Sequence, residues 1–123
     1  MRRKFTYKIF EPKIQFIKGF DEKVLPNVHL TRSRDGSTGT ATFQFKNPNI
    51  LERISVNQGE ITGMYLIDEE GILETRIISV KFENGRPEII ESIYIMQSYQ
   101  DWDRFMRFMK KYSEINGLDF FKY

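Results

Sequence analysis

The sequence contains no cysteine and only one histidine, His29, among its 123 residues. The lack of cysteine excludes a disulfide framework, a thiolate metal site and a cysteine nucleophile, and it fits a reducing compartment. A single histidine cannot build a histidine-based zinc site or a Ser-His-Asp triad from the usual parts. We therefore expect a protein that is not an enzyme and that uses no metal and no cofactor.

Long apolar stretches are missing as well, since no segment reaches the roughly 18 consecutive apolar residues of a membrane-spanning helix. Residues 1–4, a methionine followed by three basic residues, resemble the start of a signal peptide, but no apolar block follows before Glu11 and Pro12. We therefore expect the chain to work in the compartment where it is made. Its net charge of +2 is too small to indicate nucleic-acid binding by itself. The length and the ordinary composition predict a single domain over residues 1–123.

Alternating apolar and polar residues, together with turn residues, predict a series of strands. The clearest hairpin surrounds Asn84 and Gly85, because both central residues of a type I′ turn take positive φ. A second hairpin is predicted around residues 35–36, and residues 49–53 are expected to form a short helical turn. Residues 89–96 are apolar on both faces, which predicts a central strand covered on both sides. The predicted strands are 13–18, 28–34, 38–46, 60–68, 73–83 and 86–96.

The C-terminal segment has the pattern of an amphipathic helix. Ser98 and Asp101 have the spacing of a capping box, and Gly117 lies where a terminal glycine would end the helix. Apolar residues recur between these ends at steps of three and four, and basic residues lie between them. We therefore predict an α+β fold, an antiparallel β-sheet built of hairpins with a C-terminal amphipathic helix packed on one face. The apolar stripe is Trp102, Phe105, Met106, Met109 and Tyr112, and the basic band is Arg104, Arg107, Lys110 and Lys111.

Several charged and glycine positions allow more than one interpretation. The acidic turn, Asp68–Glu70, is expected to be solvated beside Gly71 rather than to hold a metal ion. Arg32 and Arg34 alternate on one predicted strand, so both should project from the same face, either solvated or aimed at carboxylates or lipid headgroups. Gly63 lies inside a predicted strand, which indicates a bulge or a close approach by a partner strand or by the covering helix.

Long segments of the chain are similar to a known family. They include EITGMYLIDEEG at residues 60–71 and WDRFMRFMKKY at residues 102–112, followed by NGL. Together with three shorter segments, they resemble the photosystem II reaction-centre 28-kDa protein family, and specifically its main branch. The resemblance runs in order over residues 14–118 and leaves residues 1–13 as an N-terminal extension. The shorter matching segments are 30–36, 38–43 and 48–51.

The resemblance implies a small, non-catalytic assembly factor. Members of the family bind transiently to immature photosystem II on the stromal side of the thylakoid membrane in a plastid, or on its cytoplasmic side in a cyanobacterium. The implied partners are a reaction-centre subunit, through a flexible acceptor-side loop, and the inner antenna subunit; nucleic acid is not among them. The protein would be peripheral to the membrane, and a monomer or weak dimer when alone.

Position and chemistry suggest where such a partner would bind. An exposed sheet edge can accept an extended segment as one more strand, and basic side chains near it would orient the domain on the membrane. We expect this surface near Val28–Lys46 and Glu60–Asp68. Replacing Arg32 and Arg34 by Glu should abolish association while the melting temperature barely moves. The predicted partner contacts are Arg32, Arg34, Thr62, Tyr65, Arg104 and Arg107.

An alternative function is a small domain that binds RNA or single-stranded nucleic acid. Strands that carry aromatic residues and the arginines at positions 32 and 34 permit this interpretation. However, the chain has no recognisable RNA-binding motif, and its 17 acidic residues weaken the positive potential. The N-terminal residues 5–10 add a further alternative, because their alternation fits either an extra edge strand or a disordered tail.

Overall fold

The computed structural model describes residues 10–56 and 58–118. The prediction for residues 5–10 lies outside this part of the chain, apart from Phe10. The first half contains β1 (Lys13–Ile17), β2 (Phe20–Asp21), β3 (Asn27–Arg32), β4 (Gly39–Lys46) and the short helix α1 (Ile50–Ser55). The second half contains β5 (Met64–Asp68), β6 (Gly71–Thr75), β7 (Ile78–Glu83), β8 (Arg86–Met96) and the helix α2 (Tyr99–Asn116).

The strands form two antiparallel sheets rather than the single sheet that the sequence suggested. The first sheet has the order β2-β1-β5-β6, and the second has the order β3-β4-β8-β7. β8 lies between β4 and β7, which confirms the prediction of a central strand. The predicted fold class, an antiparallel β structure with a C-terminal helix packed on it, is confirmed.

The predicted strand 73–83 is divided between the two sheets. β6 pairs with β5 in the first sheet and β7 pairs with β8 in the second, so the chain turns a corner after Thr75. The Thr75 side chain holds this corner: its hydroxyl donates to the carbonyl of Ile93 over 2.6 Å and accepts from the amide of Ile77 over 3.2 Å. Neither Gly nor Pro occurs at the corner, so nothing in the residue pattern indicates it.

The two predicted hairpins are present. Asn84 has φ 52° and Gly85 has φ 80°, both positive as a type I′ turn requires. In the other hairpin β3 ends at Arg32 rather than at the predicted residue 34. β5 is also shorter than the predicted strand 60–68.

The inner faces of the two sheets meet in an aromatic and aliphatic core. Phe16 of the first sheet contacts Phe45 of the second, with ring centroids 4.9 Å apart and ring planes at 81°. Ala41, Phe43 and Phe45, which alternate along β4 and so share one face, are fully buried. The prediction that β8 is covered on both faces is wrong: Ile95 on its outer face is 45% exposed, because the first sheet and α2 both pack on the inner face.

α2 has the ends that its sequence predicts. The Ser98 hydroxyl accepts a hydrogen bond from the amide of Asp101 over 3.0 Å, and Gly117 ends the helix with φ 65°. These contacts satisfy main-chain groups that have no partner within the helix. No helix within residues 10–56 and 58–118 is long and apolar enough to cross a membrane.

The buried side of α2 packs on the inner face of the second sheet, beside the first sheet. The Phe105 ring lies 5.3 Å from the Tyr94 ring and 6.1 Å from the Phe43 ring. Most of the predicted apolar stripe is buried, but Met106 is only half-buried, and Phe108, which was not predicted, is fully buried. Burial of the helix here closes one side of the core.

The short helix α1 begins against a buried carboxylate. Glu22, which is 6% exposed, accepts hydrogen bonds from the amides of Ile50 and Asn49, both at 2.9 Å, and of Val24 at 3.0 Å. Two of these donors lie at the start of the helix, where no helical carbonyl can reach them. The predicted turn at 49–53 is therefore a helix tied to the segment that follows β2.

Candidate interaction surface

The β3–β4 turn, residues 33–38, is organised by one carboxylate. Asp35 Oδ1 accepts hydrogen bonds from the amide and the hydroxyl of Ser37, at 3.0 and 2.7 Å, and from the hydroxyl of Ser33 at 2.8 Å. These bonds, the one from the Ser37 amide first, lower the pKa of Asp35 from 3.8 to about 2. The turn therefore has a defined shape although Arg34, Asp35 and Thr38 are exposed.

The two arginines of this hairpin lie in different surroundings. The guanidinium of Arg32 lies over the Trp102 ring, 4.3 Å from its centre, and Arg32 Nε donates to the carbonyl of Gly36 over 3.0 Å. Arg34 lies in the β3–β4 turn and is exposed, and within residues 10–56 and 58–118 it has no side-chain hydrogen bond or ion pair. The prediction that both project from the same face of one strand is wrong, because β3 ends at Arg32.

The hairpin is also attached to the start of α2. A Cβ at Gly39 would come 2.6 Å from a Trp102 ring carbon and 2.6 Å from the carbonyl oxygen of Thr31, so only glycine fits here without displacement. The Tyr99 hydroxyl donates to the carbonyl of Asp35 over 2.7 Å. The end of the hairpin and the start of α2 therefore form one packed unit, and Arg32 belongs to that unit.

A second contact joins α2 to the acidic turn between β5 and β6. Arg104 pairs with both oxygens of Asp68: Nη1 lies 2.9 Å from Oδ2, and Nη2 lies 2.7 Å from Oδ1. The Asp68 side chain is fully buried, and that of Arg104 is 16% exposed. The expectation that the acidic turn is solvated is wrong for Asp68, because the basic side of α2 lies against it, whereas Glu69 and Glu70 are exposed.

Four more charged residues extend this contact towards solvent. Arg107 donates to both carboxylate oxygens of Glu70 at 2.9 Å, and these hydrogen bonds lower the pKa of Glu70 from 4.5 to about 2. Lys111 Nζ lies 3.0 Å from Glu69 Oε1, and this hydrogen bond raises the pKa of Lys111. Most of the predicted basic band is therefore neutralised within the chain. We call Asp68, Glu69, Glu70, Arg104, Arg107 and Lys111 the ion-pair cluster.

A signal for this cluster was present in the sequence. Its three basic residues follow one another at steps of three and four, which places them on one side of a helix. Three consecutive acidic residues stand in a predicted turn elsewhere in the chain. Matching the basic set to the acidic set by charge would have predicted this contact. The sequence pattern does not indicate it directly, because the two sets lie far apart along the chain.

Thr62 and Tyr65, two further predicted contacts, belong to the region of the first sheet. Their hydroxyl oxygens lie 2.8 Å apart; Thr62 is exposed, whereas Tyr65 is 2% exposed. Gly63 between them is buried, and a Cβ there would come 3.0 Å from the carbonyl oxygen of Thr75. The close approach predicted at Gly63 is therefore made by β6.

Free sheet edges are the feature that a partner segment could use. Among residues 10–56 and 58–118, β3 and β7 of the second sheet each pair with a single neighbour, whereas β5 lies between β1 and β6 and cannot accept another strand. The amide of Ser33 donates to the carbonyl of Thr38 over 2.8 Å. Since bonded and non-bonded pairs alternate in an antiparallel ladder, the main-chain groups of Val28, Leu30 and Arg32 point away from β4.

Three groups of described residues bear on catalysis, metal binding and base stacking. His29 is exposed on β3, opposite Thr42. Across the described ranges, no three His, Asp or Glu side chains are grouped so that they could hold a metal ion. Phe16, Phe43 and Phe45 have no exposed surface, so they cannot stack on nucleic-acid bases, whereas Phe82 on β7 is 65% exposed.

Comparison with known proteins gives a consistent result. The sequence matches the family model described as Psb28 protein over residues 14–120. It is 72% identical over 112 residues to a protein of Phaeodactylum tricornutum named Photosystem II reaction center Psb28 protein, a match that covers 91% of this chain and 97% of the relative. Proteins with the same name from Cyanidioschyzon merolae and Trichormus variabilis are 58% and 57% identical, covering 87% and 89% of this chain and 94% and 97% of the relatives.

Proposed function

The chain belongs to the Psb28 protein family, and on that basis we propose that it associates with photosystem II as a non-catalytic assembly factor. The observation that carries this proposal is the 72% identity, over 91% of the chain, to a protein named for the photosystem II reaction center. The proposed role is transient binding to immature photosystem II during assembly or repair. Relatives from plastid-bearing algae and a cyanobacterium support a place in photosynthesis.

The proposed site of action is the stromal side of the thylakoid membrane in a plastid, or the cytoplasmic side in a cyanobacterium. There the protein is peripheral to the membrane. Its proposed partners are a flexible acceptor-side loop of a reaction-centre subunit and the inner antenna subunit. Either partner could supply an extended segment, which is the form of chain that an open sheet edge recognises.

The free edge of β3 supports this mode of binding. An added strand would exchange hydrogen bonds with the outward main-chain groups of Val28, Leu30 and Arg32. Leu30 is 2% exposed and Val28 is half-buried, so their side chains are already packed and only their main-chain groups would change partners. Binding would therefore require little rearrangement of the domain, which limits the entropy lost on association.

The predicted contact residues differ in what a partner would have to displace. Arg34 and Thr62 are exposed, and Arg34 stands directly beyond the end of β3. We therefore assign Arg34 the main role in orienting the domain towards acidic groups of its partner or of the membrane surface. The predicted contacts other than Arg34 already have an interaction within the chain: Arg32, Thr62, Tyr65, Arg104 and Arg107.

The first experiment adds tagged protein to photosynthetic membranes, separates the solubilised complexes on a native gel and identifies what migrates with the tag. We expect co-migration with a photosystem II intermediate that lacks its oxygen-evolving subunits. Migration only as free protein, with membranes rich in such intermediates, would contradict the assembly role.

A matched pair of variants tests the edge. Val28→Pro removes one outward amide donor without removing a bond to β4, whereas Val28→Thr keeps the amide and the branched side chain. We expect Val28→Pro to lose co-migration and Val28→Thr to keep it, with both variants showing a cooperative unfolding transition. If a folded Val28→Pro variant still binds, the partner must use the other long edge, β7, rather than β3.

A further inference from the structure

A cleft of about 590 Å³ lies between the β1–β2 turn and the helix α1. This volume falls within the range of roughly 300–1,000 Å³ found for sites that bind small molecules. The cleft lies outside the β3 edge and outside the ion-pair cluster. Its walls combine apolar groups, Phe20 and Val56, with two cationic side chains, Lys23 and Arg53.

Arg53 is the central group of this cleft. Its guanidinium carbon lies 4.0 Å from the centre of the Phe20 ring. The Nε atom of Arg53 is buried, and in the part of the chain that the structure describes it has no hydrogen-bond partner. Buried donors are nearly always paired in folded proteins, and among the described residues the terminal Nη atoms of Arg53 have no hydrogen-bond or ion-pair partner either. Because Arg53 lines the cleft, its guanidinium can offer these terminal donors to an acceptor from outside the chain.

The carboxylates near the cleft do not fill that role. Asp21 accepts from the Gln15 side-chain amide over 2.7 Å and lies 3.7 Å from the ammonium of Lys13. Glu22 is occupied by the amides at the start of α1. Glu52 is exposed at the rim and makes no ion pair within the described ranges. An acceptor that enters the cleft therefore meets an arginine whose charge no neighbouring carboxylate neutralises by contact.

We propose that this cleft binds a small molecule that carries an oxyanion group, a carboxylate or a phosphate, on an apolar body. The oxyanion accepts hydrogen bonds from Arg53, whose planar fork suits two oxygens at once, and is attracted by Lys23. The apolar body lies against Phe20 and Val56. This site is independent of the proposed role at photosystem II.

The test uses phenyl phosphate as the probe and follows amide signals of the protein by NMR. Saturable shifts at Phe20, Lys23 and Arg53 are expected. Arg53→Gln should weaken binding by about tenfold or more, as loss of a charge-assisted hydrogen bond does. Arg76→Gln, which removes the same charge from an exposed site on the β6–β7 connection, should bind like the wild type. Spectra of both variants without probe show whether they are folded, and Arg53→Lys shows whether charge alone is sufficient.

Two further probes identify the natural source of the oxyanion. Inorganic phosphate tests the anion without an apolar body, and vesicles of phosphatidylglycerol and phosphatidylcholine test a lipid headgroup. Weaker binding of inorganic phosphate than of phenyl phosphate supports both halves of the site, and equal binding overturns the apolar half. Arg53-dependent binding to the anionic vesicles would identify a lipid as the source. Shifts that do not saturate, or that are the same in Arg53→Gln, would overturn the proposal.

Discussion

Two turns of this molecule each hold a carboxylate whose pKa lies at about 2, but the neighbours responsible differ. In the β3–β4 turn Asp35 is held by an amide and hydroxyls of Ser33 and Ser37, which are neutral and lie within two residues of it. In the acidic turn Glu70 is held by the guanidinium of Arg107, 37 residues further along the chain. The first arrangement shapes a turn, and the second holds a helix against a sheet.

The same contrast separates the arginines. Those of α2 are paired with carboxylates of the acidic turn, so they contribute to the tertiary structure. Arg34 in the β3–β4 turn makes no such pair among the described residues and remains accessible to a partner. A basic residue is therefore a better candidate for recognition when the fold supplies no carboxylate to it.

The largest expected effect is at the buried end of the ion-pair cluster. Asp68→Ala leaves Arg104 largely buried without its counter-ion, and we expect the free energy of unfolding to fall by about 3–5 kcal/mol. Urea unfolding followed by the fluorescence of Trp102 measures it. Glu69→Ala is the control, because the Glu69 side chain is 62% exposed. Equal losses of unfolding free energy in the two variants would contradict the role of Asp68 as the buried counter-ion of Arg104.

A smaller loss is expected where the hairpin meets the helix. Gly39→Ala places a methyl group against the Trp102 ring and the Thr31 carbonyl, and overpacking of this kind costs about 1–3 kcal/mol. The same urea assay measures the loss, and Thr38→Ala at an exposed neighbouring position is the control. Unchanged stability in Gly39→Ala would show that α2 can shift away from the hairpin at no cost.

The pH dependence of stability tests the contribution of Glu70. Glu70 has a lowered pKa in the folded state, so its stabilising effect is fully present above its unfolded value of 4.5 and is lost as the pH falls towards about 2. The stability difference between wild type and Glu70→Gln should therefore shrink over that interval. Stability curves measured at a series of pH values test this, and a constant difference would contradict it.

High salt tests whether charged neighbours lower the pKa of Glu70 more than that of Asp35. At about 1 M salt the screening length is only about 3 Å, which weakens ion pairs at the surface. NMR titration should show the pKa of Glu70 rising towards 4.5 in high salt, while that of Asp35 moves less, because its donors are neutral. Equal shifts would mean that charge contributes equally at both turns.

The smallest effect on stability is expected at Arg34. Arg34→Glu should change the free energy of unfolding by no more than about 0.5 kcal/mol, as is usual for exposed positions without contacts, while association with photosystem II membranes falls. Arg32→Glu should cost more stability, because it loses the cation–π contact with Trp102. Replacing both Arg32 and Arg34 by Glu would therefore change association and stability together, whereas the single variants separate the two effects. A clear stability loss in Arg34→Glu would contradict this assignment.

Local features of the fold could be predicted because short-range chemistry determines them. The Asn84–Gly85 turn needs positive φ at both residues, and the ends of α2 carry residues that cap a helix. The candidate site was predicted less well. The prediction placed the arginines at positions 32 and 34 on one face, whereas the end of β3 separates them, and six partner contacts stay predictions.

The antiparallel hairpins, the central position of β8, the amphipathic helix and the family could all be predicted from the sequence, since each depends on residues close together or on a long matching segment. The division of the described strands into two sheets could not, because the corner at Thr75 depends on a hydrogen bond to Ile93 on a later strand. The tertiary structure also decided which charges are used internally, because the acidic turn and the basic side of α2 meet only after the chain has folded. Periodicity and turn residues indicate the local conformation that a segment prefers, whereas the pairing of groups distant in sequence follows from tertiary packing.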